Sequence, residues 1–214
     1  MSAAEPATLD QNGRALGPRA LKTRKSLLEA TERLLARQSV RDLSVVEIAR
    51  EAGTSPATFY QYFKDVGEAT LRLAELAAGE MPAVLELIDR PWHGAGGLAN
   101  ARAIVEAFLR HWDAHRAVLL VRNLAADEGD RRFMRVRQQT LRPLLEHLAA
   151  QVGAGQEAGR VDPELRPAAA AAALSAILER LAAYHRELEA IGVSRADLVE
   201  TCARILHQTV TGGR

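Results

Sequence analysis

Apolar side chains recur along the chain with the spacing of amphipathic helices. The first such group predicts a helix over about residues 21–38, because its members follow the i, i+3, i+4, i+7 pattern. They are Leu27, Leu28, Thr31, Leu34 and Leu35. No stretch alternates with the two-residue period of a strand. The pattern therefore predicts an all-α fold with about nine helices and no internal repeat.

Two short helices separated by a tight turn are predicted next. Ser44 and Glu47 have capping-box spacing at the start of the second helix, and Gly53 is a stop signal at its end. Ser55 can cap a third helix that begins with Pro56, where the missing N–H costs little. The N–H groups at both helix starts are candidate phosphate contacts. This arrangement is typical of a helix-turn-helix, whose second helix enters the DNA major groove.

Longer helices are predicted for the rest of the chain. Asp65 and Glu68 repeat the capping-box spacing and open a fourth helix that runs to Ile88, with a kink at Pro82. Periodicity then predicts helices at about residues 98–114, 115–127, 130–152, 167–190 and 194–210, with a loop before the last two. We divide the chain into a flexible basic arm (1–20), a helix-turn-helix domain (21–66) and a C-terminal helical domain (67–214).

Composition and charge narrow the class of protein. The 214 residues are 48 % hydrophobic, enough for a real core, yet no run is long enough for a membrane span and no signal peptide is evident. We therefore expect a cytoplasmic protein without a membrane partner. Residues 14–64 carry ten Lys/Arg against five Asp/Glu, although the net charge is only +1. This basic region suggests an anionic partner, although its first part is equally compatible with a solvated tail.

The predicted third helix concentrates the aromatic residues of a chain that is only 4 % aromatic. It carries Phe59, Tyr60, Tyr62 and Phe63. Phe59 and Phe63 are four residues apart and share one face, which suits a core, whereas Thr58, Gln61 and Tyr62 point elsewhere. Thr and Tyr suit phosphate contacts, and Gln can pair with adenine through two hydrogen bonds. Core and partner surface can therefore share this helix.

Residues 23–76 resemble the N-terminal domain of the TetR family of transcriptional regulators. The family pattern is roughly A-G-V-S-x-G-T-L-Y-x-Y-F, and residues 52–63 read AGTSPATFYQYF. The resemblance implies DNA contacts from Arg24, Ser44, Thr54, Ser55, Pro56, Ala57, Thr58, Tyr60, Gln61, Tyr62 and Lys64. Pro56 replaces a small or basic residue of the family, and Val66 replaces a lysine whose phosphate contact Lys64 would supply.

The same resemblance implies a ligand pocket and a dimer interface in the C-terminal domain. Pocket candidates are Phe108, Trp112, Leu119, Arg122, Asn123, Met134, Arg137, Gln138, Leu141 and Tyr184, although each of these also suits the core of a helix bundle. Interface candidates are Ala169, Ala172, Ala173, Ala176, Ile177, Leu198, Cys202 and Ile205, because small side chains let helices approach closely. These alanines also suit packing within one protomer.

His111 and His115 raise an alternative, since they are four residues apart on a predicted helix and could share a metal. Asp113 should point away from them and no third ligand is indicated, so we expect no metal, no cofactor and no enzyme. A helical metalloenzyme is the less favoured alternative.

The resemblance implies a homodimeric repressor that binds a pseudo-palindromic double-stranded DNA operator and is released by a small hydrophobic effector. An effector-independent DNA-binding dimer is the other alternative.

Overall fold

Nine α-helices account for most of the residues that the computed structural model describes, which are Gln11, 14–94 and 96–213. The helices are α1 (Pro18–Leu35), α2 (Val45–Glu51), α3 (Pro56–Tyr62), α4 (Val66–Ala78), α5 (Pro82–Ile88), α6 (Gly97–Asp127), α7 (Arg131–Glu157), α8 (Pro167–Ala190) and α9 (Arg195–Thr211). The described residues contain no β-strand, which confirms the predicted all-α fold. Most of the predicted arm, residues 1–10, 12 and 13, lies outside them.

The chain divides into two compact units. The first contains the described residues up to Leu76 together with Ala117–Phe133, and the second contains Ala77–Arg116 and the described residues from Met134 onward. In the first unit, α1, α2 and α3 pack against one another. Their shared core includes side chains with no exposed surface, namely Leu27, Ile48, Phe59 and Phe63. In the second unit, α8 packs against α9.

The turn between α2 and α3 requires a residue in the left-handed backbone conformation. Gly53 has φ +66°, and its N–H donates to the carbonyl of Arg50 at 3.1 Å, while the N–H of Thr54 donates to the carbonyl of Ala49 at 2.8 Å. Together these bonds form a Schellman motif, which satisfies the last carbonyls of α2. An L side chain at this φ would be strained, so Gly53 ends α2 as predicted.

The predicted fourth helix is in fact two helices. α4 ends at Ala78, three residues form a turn, and α5 begins at Pro82. Proline has no N–H to donate to the carbonyl of Ala78, and it fits the first turn of a helix without loss. The prediction of one kinked helix to Ile88 is therefore wrong.

Helix α7 is longer than predicted, since residues 153–157 are helical rather than part of a loop. Gly155 gives the physical reason. A Cβ at this position would lie 2.6 Å from Cγ2 of Val161 and 2.8 Å from the carbonyl oxygen of Val210, both closer than normal contact. The glycine therefore allows α7 to approach the end of α9, and this packing keeps the segment helical.

Helix α6 is interrupted where the sequence predicted the boundary between two helices. His115 has φ −118° and ψ 18°, outside the helical range, and the chain continues as helix on both sides. The predicted break near residue 115 is therefore a kink within one element. Among the described helices, none combines the length and apolar character that crossing a bilayer requires.

Candidate functional site

Helix α3 presents one face to the core and another to solvent. Phe59 and Phe63 are fully buried with ring centroids 5.4 Å apart, which confirms their predicted place in the core. Tyr60 is 54 % exposed and meets the Phe59 ring edge to face at 5.8 Å. Within α3, the other exposed residues of the predicted DNA-contact set are Pro56, Ala57 and Gln61, while Thr58 and Tyr62 are half-buried. Packing of the two phenylalanines in the core therefore fixes which side chains of α3 face solvent.

The two serine caps differ in how much hydrogen-bonding capacity they leave free. Ser44 forms a complete capping box, because its Oγ accepts from the N–H of Glu47 while its own N–H donates to the Glu47 carboxylate at 3.0 Å. These bonds from Ser44 lower the pKa of Glu47. Ser55 accepts from the N–H of Thr58 at 3.1 Å and lies 3.0 Å from the Thr58 hydroxyl. The Ser44 N–H is therefore already engaged by a carboxylate, which would compete with a phosphate at that position.

The basic residues of the predicted set are Arg24 and Lys64, and they occupy different environments. The guanidinium carbon of Arg24 lies 5.4 Å from the centroid of the Phe63 ring. Burial first, and then repulsion from Arg72, lower the pKa of Arg24. Lys64 is exposed, and its N–H donates to Oε2 of Glu68 at 2.8 Å. The N–H of Glu68 donates in turn to Oδ1 of Asp65 at 2.7 Å, so Asp65 caps α4 as predicted, whereas the Glu68 carboxylate bonds one residue before Asp65. Lys64 is thus the more accessible cation of the two.

An open cleft of about 540 Å³ separates the start of α1 from the turn and from α3. Its lining includes three members of the predicted DNA-contact set, Thr54, Thr58 and Tyr62. On the α1 side it adds Arg19, which belongs to the basic region already connected with an anionic partner, and Thr23; neither is in the predicted DNA-contact set. Their i, i+4 spacing was a signal that could have placed them on one face of α1.

The described part of the arm also reaches α3. Gln11 donates from its backbone N–H to the carbonyl of Gln61 at 3.2 Å, and from its side-chain amide to the carbonyl of Tyr62 at 3.1 Å. The same amide donates to the Glu68 carboxylate at 3.0 Å. Gln11 therefore lies beside the end of α3, a placement that no sequence pattern indicated.

In the second unit, an apolar cavity lies between α6, α8 and α9. It is lined by Val105, Phe108, Leu109, Leu178, Leu181, Leu198 and Cys202, and its volume is about 10 Å³. This volume is near that of a single water probe, whereas small-molecule sites typically enclose about 300–1,000 Å³. Of the predicted pocket residues, Phe108 lines this cavity.

The remaining predicted pocket residues differ in how much of each side chain is exposed to solvent. Trp112, Leu119 and Arg122 are buried; Asn123, Arg137 and Leu141 are half-buried; Met134, Gln138 and Tyr184 are exposed. Within the first unit, Arg122 donates twice to the side-chain oxygen of Asn123. Within the second unit, Arg137 pairs with Glu179 at 3.5 Å, and the guanidinium of Arg180 stacks 3.8 Å over Tyr184.

The predicted interface residues fall into two groups. Four alanines of α8 are exposed on a single protomer, namely Ala169, Ala172, Ala173 and Ala176, as is Ile205 of α9. Ile177 and Leu198 are half-buried, whereas Cys202 is buried inside the protomer, so its side chain is not available to a partner. Burial raises the pKa of Cys202 to about 11, so its thiol stays protonated at neutral pH.

The histidine pair of α6 is formed as the spacing predicted. The ring centroids of His111 and His115 are 5.2 Å apart. Asp113 points away from them, as expected, because it accepts hydrogen bonds from Arg186 of α8 and Arg195 of α9, each at 2.9 Å. The carboxylate of Glu80 lies beside the pair as a third potential metal ligand that the sequence did not indicate.

Known proteins resemble this chain over both parts. Residues 27–65 match the family described as bacterial regulatory proteins, tetR family, and residues 85–214 match the family described as tetracyclin repressor-like, C-terminal domain. Residues 1–26 and 66–84 lie outside these two matches.

Solved structures share the fold at low identity. A proposed transcriptional regulator of Pseudomonas aeruginosa PAO1 is 22 % identical, with a TM-score of 0.71 over 92 % of this chain and 93 % of that one. FadR of Bacillus subtilis in complex with stearoyl-CoA is 17 % identical, with a TM-score of 0.64 over 88 % and 98 %. The triclosan complex of SmeT, the repressor of a Stenotrophomonas maltophilia efflux pump, is 17 % identical, with a TM-score of 0.61 over 89 % and 90 %. The chain therefore belongs to the TetR family of DNA-binding transcriptional regulators.

Proposed function

We propose that the protein is a homodimeric repressor that binds a pseudo-palindromic DNA operator through α3 of each protomer. The observation that carries this proposal is the division of α3, where Phe59 and the adjoining Phe63 are buried while Tyr60 and Gln61 face solvent. A recognition helix needs this division, because the core must hold it rigidly while its outer face meets base edges and phosphates. The cleft beside it, with Thr54, Thr58 and Tyr62, adds hydroxyl groups suited to phosphate.

Exposed alanines on α8 support the homodimer. Ala169, Ala172, Ala173 and Ala176 recur at helical spacing and leave a shallow apolar stripe open on the protomer. Helices with such stripes can approach closely, and burying the stripe against its own copy would remove apolar surface from water. A two-fold dimer would also match the two half-sites of a pseudo-palindrome.

The DNA interface is tested by replacing Gln61 with alanine. We expect a loss of discrimination of about 1–3 kcal/mol at one base pair, because Gln61 is exposed on α3 and its amide can bond a base edge. The measurement is fluorescence anisotropy with the duplex selected by the wild-type protein from a random pool and with its single-base variants. Uniform weakening on every duplex would instead place Gln61 on the DNA backbone.

Lys64→Ala is the matched control, since Lys64 is exposed just beyond α3 and the family resemblance assigns it a phosphate contact rather than a base contact. It should weaken all duplexes alike and reduce the slope of log affinity against log salt by about 1. Failure of the wild-type protein to select any duplex at low salt would overturn the proposed DNA interface as a whole.

We further propose that a small hydrophobic molecule releases the protein from DNA by enlarging and filling the cavity between α6, α8 and α9. Its lining is apolar, and FadR and SmeT, which share the fold, were solved with stearoyl-CoA and triclosan. The ligand would act by preferring the conformation that does not bind DNA. The cavity volume of about 10 Å³ favours the second candidate function, a DNA-binding dimer without an effector.

One measurement distinguishes release by an effector from an effector-independent dimer. The complex with the selected duplex is challenged with a panel of acyl-CoA thioesters, fatty acids and chlorinated phenols, and the operator affinity is followed by anisotropy. Effector release predicts that at least one compound lowers this affinity in a saturable way. Unchanged operator affinity across the panel supports the effector-independent dimer and argues against release.

A further inference from the structure

Three side chains of the second unit converge from two separate parts of the chain. His111 and His115 lie on α6, and Glu80 lies in the turn between α4 and α5. Nε2 of His115 is 2.8 Å from Oε2 of Glu80, and one ligand atom from each of the three residues lies within 4.8 Å of the others. We propose that this cluster is a binding site for a late first-row divalent metal ion such as zinc.

The donor set has the chemistry of such a site. Two imidazoles and one carboxylate are the ligands of many zinc and non-haem iron centres, which leave further positions to water or to another ligand. A tetrahedral zinc ion with bonds of about 2.0–2.1 Å places its ligand atoms ~3.3 Å apart. The contact between His115 and Glu80 is already near this length, so closing the cluster requires a shift of about 1.5 Å at most elsewhere.

The three side chains of the cluster differ in burial, as a metal site requires. His111 is buried, the side chain of His115 is 17 % exposed, and that of Glu80 is 60 % exposed. The histidines are therefore held by the protein, whereas Glu80 can adjust its rotamer and faces the solvent from which an ion would enter. The kink at His115 belongs to this arrangement, since the residue that departs from helical geometry is the one that contacts Glu80.

A simple ion pair between His115 and Glu80 is the competing interpretation, and the chain offers an internal comparison. His147 and Asp89 form another pair of a histidine with a carboxylate, with Nδ1 and Oδ1 2.7 Å apart. This pair does not belong to the three-ligand cluster that the described residues form. A metal site and an ion pair therefore predict different behaviour at positions 80 and 147.

The test is zinc titration of the full-length protein, stripped with a chelator and free of any polyhistidine tag, against a chromophoric zinc indicator. We expect one zinc ion per protomer. Glu80→Ala should weaken this binding by about 100-fold or more, because even the loss of a residue that only supports a ligand costs about 10–100-fold. Glu80 is exposed, so its removal should leave the fold intact, which the melting curve without metal checks.

His147→Ala is the control and should leave zinc affinity unchanged. Cobalt provides an independent readout, since visible absorption bands of the bound ion report nitrogen and oxygen coordination, and these bands should disappear in Glu80→Ala and in His115→Ala. Binding below one ion per protomer, or equal affinity of Glu80→Ala and wild type, would overturn the proposal. Because zinc is titrated without DNA, the result does not depend on the proposed repressor function.

Discussion

Replacing Phe59 with alanine should destabilise the DNA-binding unit by about 3–5 kcal/mol and weaken DNA binding with it. Phe59 has no exposed surface and lies within 5.4 Å of the Phe63 ring centroid in the core shared by α1, α2 and α3. Phenylalanine to alanine substitutions in cores cost about 3–5 kcal/mol. Whole domains are stable by only about 5–15 kcal/mol, so this loss removes most of the margin of a small unit. Urea unfolding followed by circular dichroism measures the change.

Tyr60→Ala is the matched control for this variant, because Tyr60 is the next residue of α3 and is 54 % exposed. It loses an edge contact with Phe59, which is worth about 0.5–1.5 kcal/mol, and keeps the core. The protein should remain folded yet bind the selected duplex more weakly. If Phe59→Ala were as stable as Tyr60→Ala, the assignment of Phe59 as the central core residue of the helix-turn-helix would be wrong.

Asp113→Asn should destabilise the second unit by about 2 kcal/mol, because it removes the charge that three basic side chains share. Asp113 joins α6 to α8 and α9 by accepting from Arg186 and Arg195, and its Oδ1 lies 3.2 Å from Nε2 of His185. The two arginines are partly exposed, so water replaces much of what they lose. His185 is 2 % exposed, so water cannot replace the bond between its Nε2 and Oδ1 of Asp113, and the weakening of this bond accounts for most of the expected cost.

The same carboxylate predicts a dependence on pH. Burial raises the pKa of Asp113, but hydrogen bonds from Arg195 and Arg186 outweigh it and hold the pKa below its ordinary value. A carboxyl group whose pKa is lower in the folded state stabilises the fold above its unfolded pKa of about 3.9, and this stability is lost as the pH falls through the folded pKa. The difference in unfolding free energy between wild type and Asp113→Asn should therefore shrink below about pH 4.

Glu106→Gln provides the comparison on the same helix. Glu106 pairs with Arg110 at 3.4 Å, and both side chains are more than half exposed. Such surface pairs contribute about 0–1 kcal/mol, so this variant should unfold at nearly the wild-type urea concentration. An Asp113→Asn variant no less stable than Glu106→Gln would show that the network around Asp113 adds nothing to the stability of the unit.

Local signals accounted for the helix-turn-helix. Helix caps and a left-handed turn involve residues that are close together in the chain, so they can be predicted from spacing. The residues concerned are Ser44, Gly53, Ser55 and Pro56. The separation of Phe59 from Tyr60 follows from helical periodicity alone. The predicted boundary between helices at residues 114 and 115 coincides with the kink of α6 at His115, although the structure has one helical element there.

Helix ends that depend on packing were missed. The extension of α7 past residue 152 requires the close approach of Gly155 to Val161 and Val210, which belong to other segments. A glycine-containing stretch looks like a loop when its neighbours are unknown. The break before Pro82 was underestimated for a different reason, since the sequence shows a proline but not whether the chain kinks or turns there.

The sequence by itself determined the helical class, the helix-turn-helix and the family pattern around α3, because each of these depends on residues close together in the chain. Tertiary structure alone decided which distant residues meet. It buried Cys202 within the protomer, gathered His185, Arg186 and Arg195 around Asp113, and brought Glu80 to the histidines of α6. Such contacts depend on how helices pack, and no spacing along the chain encodes the distance between residues 80 and 115.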